Sequence, residues 1–204
     1  MYTLLLLLIY LAFISLGLPD SLLGSAWPVM HKAFQVPLSY AGLVTMIISG
    51  GTICSSLMSE RLTKKFGTQI VTVFSVMLTA IALFGFSTAS AFWMLCLWAI
   101  PYGLGAGAID AALNNYVALH YNSRHMSWLH CFWGLGTIIS PYVMSYALTT
   151  SVWQNGYRMV SFIQIGIALI LFVTLPIWKV NRKETAQKEK AEEIQRTVQN
   201  GQME

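Results

Sequence analysis

The sequence predicts an all-α membrane protein of six transmembrane helices. Of its 204 residues, 56% are hydrophobic and only 10% are charged, whereas soluble domains carry about 25% charged residues. Apolar runs of about 20 residues recur along the chain, and each is long enough to cross a bilayer. Segments of alternating polarity are absent from the sequence, so the spans are expected to be helices and not barrel strands.

The six predicted spans are joined by short polar separators. They cover residues 3–30, 38–58, 68–88, 92–119, 128–148 and 159–178. The first ten residues, MYTLLLLLIY, have no basic segment before their apolar stretch, so we expect them to begin the first span and not to form a cleaved signal. Pro19, Pro101 and Pro141 lie within or near spans, where kinks would serve either packing or gating.

The chain is predicted to hold a six-helix transmembrane unit, residues 1–178, and a charged tail, residues 179–204, suited to a solvated helix or a disordered segment. With the amino terminus in the cytoplasm, ten Lys and Arg residues fall on the inner side. Only Lys32 and Arg158 then fall on the outer side. Because cytoplasmic loops are enriched in basic residues, we expect both termini on the cytoplasmic face of a cell (inner) membrane.

Asp20 and Asp110 are the only acidic residues within the predicted spans. A charge at membrane depth costs roughly 2.5–3.5 kcal/mol on insertion scales, so it is expected where a partner or a polar cavity compensates it. The alternative is that one or both lie close enough to an interface to be hydrated. Both acids occur at similar offsets, in the first and the fourth span, which is the pattern that two inverted three-helix repeats would produce.

Small residues accompany the acid of the fourth span. Gly103, Gly107 and Ala111 recur at every fourth position and form one stripe on the predicted helix. Asp110 and Asn114 fall on the flank of this stripe. Because small residues allow helices to approach closely, this face is expected to point inward, with Asp110 and Asn114 lining the bundle interior or a cavity.

The fifth predicted span adds His130 and Trp133, which lie on roughly one helical face. His130 could carry a proton near neutral pH or hydrogen-bond a sugar hydroxyl. The alternative for His130 is a hydrogen bond to a neighbouring backbone carbonyl. Trp133 could stack on a ligand ring, although ordinary packing is the alternative.

Enzymatic function is not expected. The sequence has no hydrolase elbow, zinc-protease motif or nucleotide-binding loop. The three cysteines lack metal-ligand spacing, so neither a metal nor another cofactor is predicted. The basic residues lie between apolar spans and not on one folded face, which argues against nucleic acid as a partner.

Residues 56–65, SLMSERLTKK, resemble the loop between the second and third spans of the major facilitator superfamily of secondary transporters. The pattern of that loop is Gly-x-x-x-Asp-Arg-x-Gly-Arg-Lys. Glu60, Arg61, Lys64 and Lys65 match its charged positions, while a serine and a threonine replace its glycines. The resemblance implies a transport site between two six-helix halves, of which this chain supplies the amino-terminal one, with the tail at the central loop.

Within that superfamily the chain is similar to the fucose-permease-like sugar transporters, through the segments AWPVMHKAF, GAGAIDAALNN and WLHCFWGLGTIISPY. This likeness implies that Asp110 takes part in proton-coupled sugar transport and that His130 meets the substrate. The first-span acid of that branch falls on Gly24, one turn beyond Asp20.

The leading functional prediction is therefore symport of protons with a sugar or a similar small polar solute. Five side chains are expected to line its cavity: Asp20, Asp110, Asn114, His130 and Trp133. The expected partners are the lipid bilayer, the solute, protons, and a second six-helix half or a copy of the chain itself. Two alternatives are a truncated or non-transporting membrane protein that acts as an assembly partner, and efflux of an amphipathic compound by the same fold.

Overall fold

A computed structural model describes residues 2–176, and within this range the secondary structure consists of helices and no strands. The helices are α1 (Tyr2–Gly17), α2 (Leu22–Ala33), α3 (Ala41–Phe66, preceded by a 3-10 turn at Leu38–Tyr40), α4 (Thr68–Thr88), α5 (Phe92–His120), α6 (Ser123–Thr150) and α7 (Trp153–Val173). The predicted tail and the end of the sixth predicted span lie outside the described residues.

Six segments of this range are long and apolar enough to cross a membrane, which confirms the predicted fold class. The first span comprises α1 and α2, and the second to sixth spans are α3 to α7. The sixth span begins at Trp153 and not at residue 159. Trp153 and Tyr157 are both buried, so the apolar contacts of this extra turn stabilise it as helix.

The charged stretch that was predicted to be a loop is helical. The second span continues to Phe66, so the residues around Glu60 and Lys64 form its last turns. Lys, Glu and Arg are good helix formers, and the Lys64 ammonium lies 2.6 Å from the Glu60 carboxylate one turn away. The helix ends only at Gly67, whose φ of 86° lies in the region that favours glycine.

The first span is interrupted between Gly17 and Leu22, at one of the prolines where the sequence predicts a kink. Pro19 lies in this interval and has no N–H to continue the hydrogen-bond ladder. The N–H of Asp20 instead donates to the carbonyl of Gly17, 3.2 Å away. The break therefore places an acidic side chain in a turn between two half-helices.

Two of the main contacts between spans match the two inverted three-helix repeats predicted from the sequence, whereas the close packing of the fourth span on the third has no equally close counterpart between the first and the sixth. The first span packs mainly on the fifth, the fourth packs on the second and third, and the third packs on the sixth. Exchanging the first three spans with the last three converts the first–fifth contact into the fourth–second contact. It also returns the third–sixth contact to itself, as two inverted repeats require.

Glycines allow the two equivalent pairs of helices to cross at backbone contact. A Cβ on Gly17 would overlap the carbonyl oxygen of Trp133 in the fifth span. A Cβ on Gly107 would overlap the carbonyl oxygen of Thr52 in the second span. Each glycine lies three residues before the acid of its span, so both crossings carry a Gly-x-x-Asp sequence.

One face of the six-helix body is left largely uncovered by the described residues. Of the most apolar stretches of the second and fifth spans, only 11% and 22% of the residues are buried, against 61% for the first and third spans. The second span packs mainly on the fourth, and the fifth packs mainly on the first.

Candidate functional site

A cavity of about 330 Å³ lies between the first, second, fourth and fifth spans. It is lined by Phe13, Leu16, Asp20, Ile48, Thr52, Tyr102, Ala106, Asp110, His130 and Trp133. Four of the five side chains predicted for a cavity thus meet here from three different spans. Because most of the remaining lining is apolar, the carboxylates are the strongest hydrogen-bond acceptors that a bound molecule would encounter.

Asp20 is held by two donors from other spans. One carboxylate oxygen accepts a hydrogen bond from the hydroxyl of Tyr102, 3.1 Å away in the fourth span. The other accepts from the indole N–H of Trp133, 2.9 Å away in the fifth span. Both donors are neutral, so Asp20 connects three spans without an ion pair.

Tyr102 is a site residue that sequence reasoning missed. Its ring is 5% exposed and packs edge-on against Phe86, with the ring centroids 6.2 Å apart. The available signal was its position eight residues before Asp110, close to the same face of one helix. That spacing alone does not identify Asp20 as its partner, because the contact depends on the break in the first span.

Asp110 lies on the unbroken helix α5 and, within the described residues, accepts one side-chain hydrogen bond. The side-chain N–H of Asn114, one turn further along, lies 2.9 Å from a carboxylate oxygen of Asp110. Asn114 does not line the cavity as predicted but supports Asp110 from the adjacent turn. Within residues 2–176, the amide oxygen of Asn114 is buried without a hydrogen-bond partner.

His130 presents an exposed imidazole to the same cavity. Its ring lies edge-on to Phe13, with the centroids 6.1 Å apart. Within the described residues, no hydrogen bond joins this ring to a backbone carbonyl. Its nitrogens are therefore available to a bound molecule.

The charged motif is not brought to this cavity. Glu60 and Lys64 lie at the far end of the second span, beside a separate recess of about 560 Å³ between the ends of α3, α4 and α5. Arg61 and Lys65 occupy the same helical turns. Among residues 2–176, no cluster of three His, Cys, Asp or Glu side chains could hold a metal ion.

Comparison with known proteins identifies relatives of this chain. A family model described as Major Facilitator Superfamily matches residues 9–201. The chain is 22% identical over 181 residues to the glucose/mannose transporter GlcP of Bacillus subtilis, covering 87% of this chain and 44% of that protein. It is 23% identical over 163 residues to Bypass of stop codon protein 6 of Saccharomyces cerevisiae, covering 78% of this chain and 33% of that protein. The chain thus spans less than half the length of either relative.

Proposed function

Because this chain belongs to the Major Facilitator Superfamily, we propose that it supplies the amino-terminal, solute-binding half of a proton-coupled secondary transporter. The solute class is a sugar or a similar small polar molecule. The glucose/mannose specificity named for GlcP supports this class, and so does a cavity that offers carboxylate oxygens beside an indole ring.

The observation that carries the proposal is the meeting of Asp20 and Asp110 in one cavity. Two acidic side chains at membrane depth are costly unless they serve a polar pathway. They come from equivalent spans of the two repeats, and family members of this architecture bind substrate near the bilayer midplane at a repeat interface. Acidic residues in a surface loop would neither meet across two spans nor lie within membrane-spanning segments.

Each residue of the cavity has a distinct proposed role. Asp110, which accepts one hydrogen bond within the described residues, is the proton-linked or solute-bonding acid. His130 contributes a hydrogen bond to a solute hydroxyl or relays a proton. Trp133 stacks on the apolar face of the solute ring while its N–H fixes Asp20. Proton and solute chemistry of this kind needs no cofactor and makes or breaks no covalent bond in the solute.

A second six-helix half completes the proposed pathway. The flanking second and fifth spans are mostly uncovered, and the rocking of one half against another would require a partner on that face. We place both termini on the cytoplasmic side of the cell membrane. The supporting asymmetry is the excess of Lys and Arg on that side.

Uptake by proteoliposomes tests the proposal. The chain would be reconstituted alone and together with a carboxy-terminal six-helix half, and uptake of radiolabelled glucose, mannose and fucose measured under an imposed inward proton gradient. We expect uptake of at least one sugar only with both halves present, and its loss when a protonophore collapses the gradient.

Controls separate the alternatives. Asp110→Asn should abolish uptake, whereas Glu204→Gln, an acid of the predicted charged tail, should retain it. Undiminished uptake by Asp110→Asn would overturn the role of that residue. Movement of an amphipathic cation but of no sugar would favour efflux, and an absence of flux with both halves present would favour a non-transporting assembly partner.

A further inference from the structure

The break in the first span leaves the backbone carbonyl of Ser15 without its helical donor. In a continuous helix the carbonyl of Ser15 would accept the N–H of residue 19, four positions later. Residue 19 is proline and has no N–H. A buried carbonyl in this state costs free energy comparable to a lost hydrogen bond, and no water is available at membrane depth to supply one.

The side chain of Gln164 in the sixth span replaces that missing donor. Its amide nitrogen lies 2.6 Å from the Ser15 carbonyl oxygen, and the side chain is 1% exposed. Because a carbonyl can only accept, this contact fixes which end of the amide faces the first span. The amide oxygen then points to the hydroxyl of Thr79 in the third span, 3.1 Å away.

We propose that Gln164 is a positioning residue for Asp20. It satisfies the carbonyl that Pro19 leaves unpaired and anchors the broken segment to the third and sixth spans at the back of the bundle. The turn that follows is thereby held where the Asp20 carboxylate meets Tyr102 and Trp133. The consequence for transport rests on the proposed function, while the positioning itself does not.

A neighbouring polar contact on the same helix provides a matched control. Ser161, one turn before Gln164, is fully buried, and its hydroxyl donates to the carbonyl of Ala80, 2.8 Å away. This bond also joins the sixth span to the third, but it does not reach the first. Substituting either Ser161 or Gln164 would therefore loosen the packing between the third and sixth spans. Only the substitution of Gln164 would displace Asp20.

A double-mutant cycle on the full chain tests the proposal. Amide hydrogen exchange of residues 20–22 would be measured by mass spectrometry for wild type, Gln164→Leu, Pro19→Ala, the double variant and Ser161→Ala. In Gln164→Leu we expect about tenfold faster exchange in this turn, the size that follows from leaving a buried acceptor unpaired. Ser161→Ala should leave it within about twofold, since that bond does not contact the turn.

The Pro19→Ala background supplies the decisive comparison. Alanine restores an N–H at position 19, so Gln164→Leu should then change exchange by less than about twofold. Equal effects of Gln164→Leu in both backgrounds, or no effect in either, would overturn the proposal. Rescue by Pro19→Ala would also show that leucine at position 164 is itself compatible with the fold.

Transport kinetics form the second readout. If both halves transport sugar, Gln164→Leu should raise KM about tenfold with a smaller change in maximal rate, while Ser161→Ala leaves KM unchanged. An unchanged KM alongside faster exchange would overturn the link between turn position and solute binding. If wild type shows no uptake but the exchange cycle behaves as expected, the proposed function fails and the positioning by Gln164 stands.

Discussion

The first and fourth spans carry the same short motif in two different backbones. Both present Gly-x-x-Asp, and in both the glycine contacts a backbone carbonyl of the neighbouring span. In the first span, however, the helix is broken at the acid, and Asp20 accepts hydrogen bonds from two other spans. In the fourth span the helix is continuous, and the hydrogen bond that Asp110 accepts within residues 2–176 comes from Asn114 on its own helix.

This difference indicates that the two equivalent acidic residues have different roles. Asp20 has a donor at each oxygen, so a solute must displace or share an existing bond to reach it. Asp110 has one oxygen without a donor among the described residues, so a solute or a proton can reach it with no displacement. We infer that Asp20 connects the spans and that Asp110 performs the exchange of partners that transport requires.

The largest expected effect is on uptake by Asp110→Asn. The substitution removes the exchangeable proton and weakens a hydrogen bond to the solute, so we expect uptake to fall by about 100-fold or more, as for a lost charged hydrogen bond in an apolar site. Initial rates in proteoliposomes containing both halves provide the measurement. An equal or greater loss in Asp20→Asn would invert the proposed roles.

The next effect concerns the two glycine crossings. Gly17→Ala and Gly107→Ala each force a methyl group into a backbone carbonyl, so we expect each to lower the free energy of unfolding by about 1–3 kcal/mol. Thermal unfolding in detergent would measure the loss. Gly24→Ala and Gly50→Ala are matched controls, because a Cβ at either position meets nothing within 4 Å. Similar stability in all four variants would contradict the crossings.

Asp20→Asn should have an intermediate effect. Asparagine offers one acceptor oxygen and an amide N–H group, so the Trp133 N–H can keep an acceptor while the Tyr102 hydroxyl must accept instead of donate, and neither bond retains a charged partner. We expect about a tenfold loss of uptake, consistent with one hydrogen bond to a charged group. Proton coupling should survive, measured as the ratio of uptake with and without the gradient. Loss of coupling in this variant would assign the proton to Asp20.

The smallest expected effect distinguishes the two donors to Asp20. Tyr102→Phe removes only a hydroxyl, and uptake should fall about threefold to tenfold, as for the loss of one hydrogen bond. Trp133→Phe removes the N–H and also part of the stacking surface, so it should raise KM further than Tyr102→Phe does. Equal KM values in side-by-side uptake assays would remove the stacking role of Trp133.

Much of this arrangement was predictable from sequence because it depends on local patterns. The six spans follow from apolar length, and the residues that meet in the cavity were found as polar groups in apolar runs. The end of the second span was predicted too early, because the charged residues after position 58 were interpreted as a loop although they form a helix. Glu60 and Lys64 continue the helix through a pairing that hydropathy does not detect.

Tyr102 and Gln164 could not be found in this way, because their roles depend on tertiary contacts. Gln164 is an amide in an otherwise apolar run, and that signal was available. Its partner, however, is a carbonyl made accessible by Pro19, about 150 positions away in the chain. No periodicity connects the two residues. Asn114 was predicted to line the cavity, but it lies one turn beyond Asp110 and donates a hydrogen bond to it. Helical phase alone does not distinguish a residue that lines a cavity from one that supports a lining residue.

The single-residue connection at Gly67 bears on how the chain enters the membrane. The second span ends at Phe66 and the third begins at Thr68. Because no loop separates them, their insertion into the membrane should be closely coupled. Under the orientation proposed above, Arg61 and Lys65 beside the turn would keep it on the cytoplasmic side while the two spans enter the bilayer in close succession. A residue other than glycine at position 67 would strain this turn. We expect this strain to reduce membrane insertion and folding of the chain, independently of solute binding.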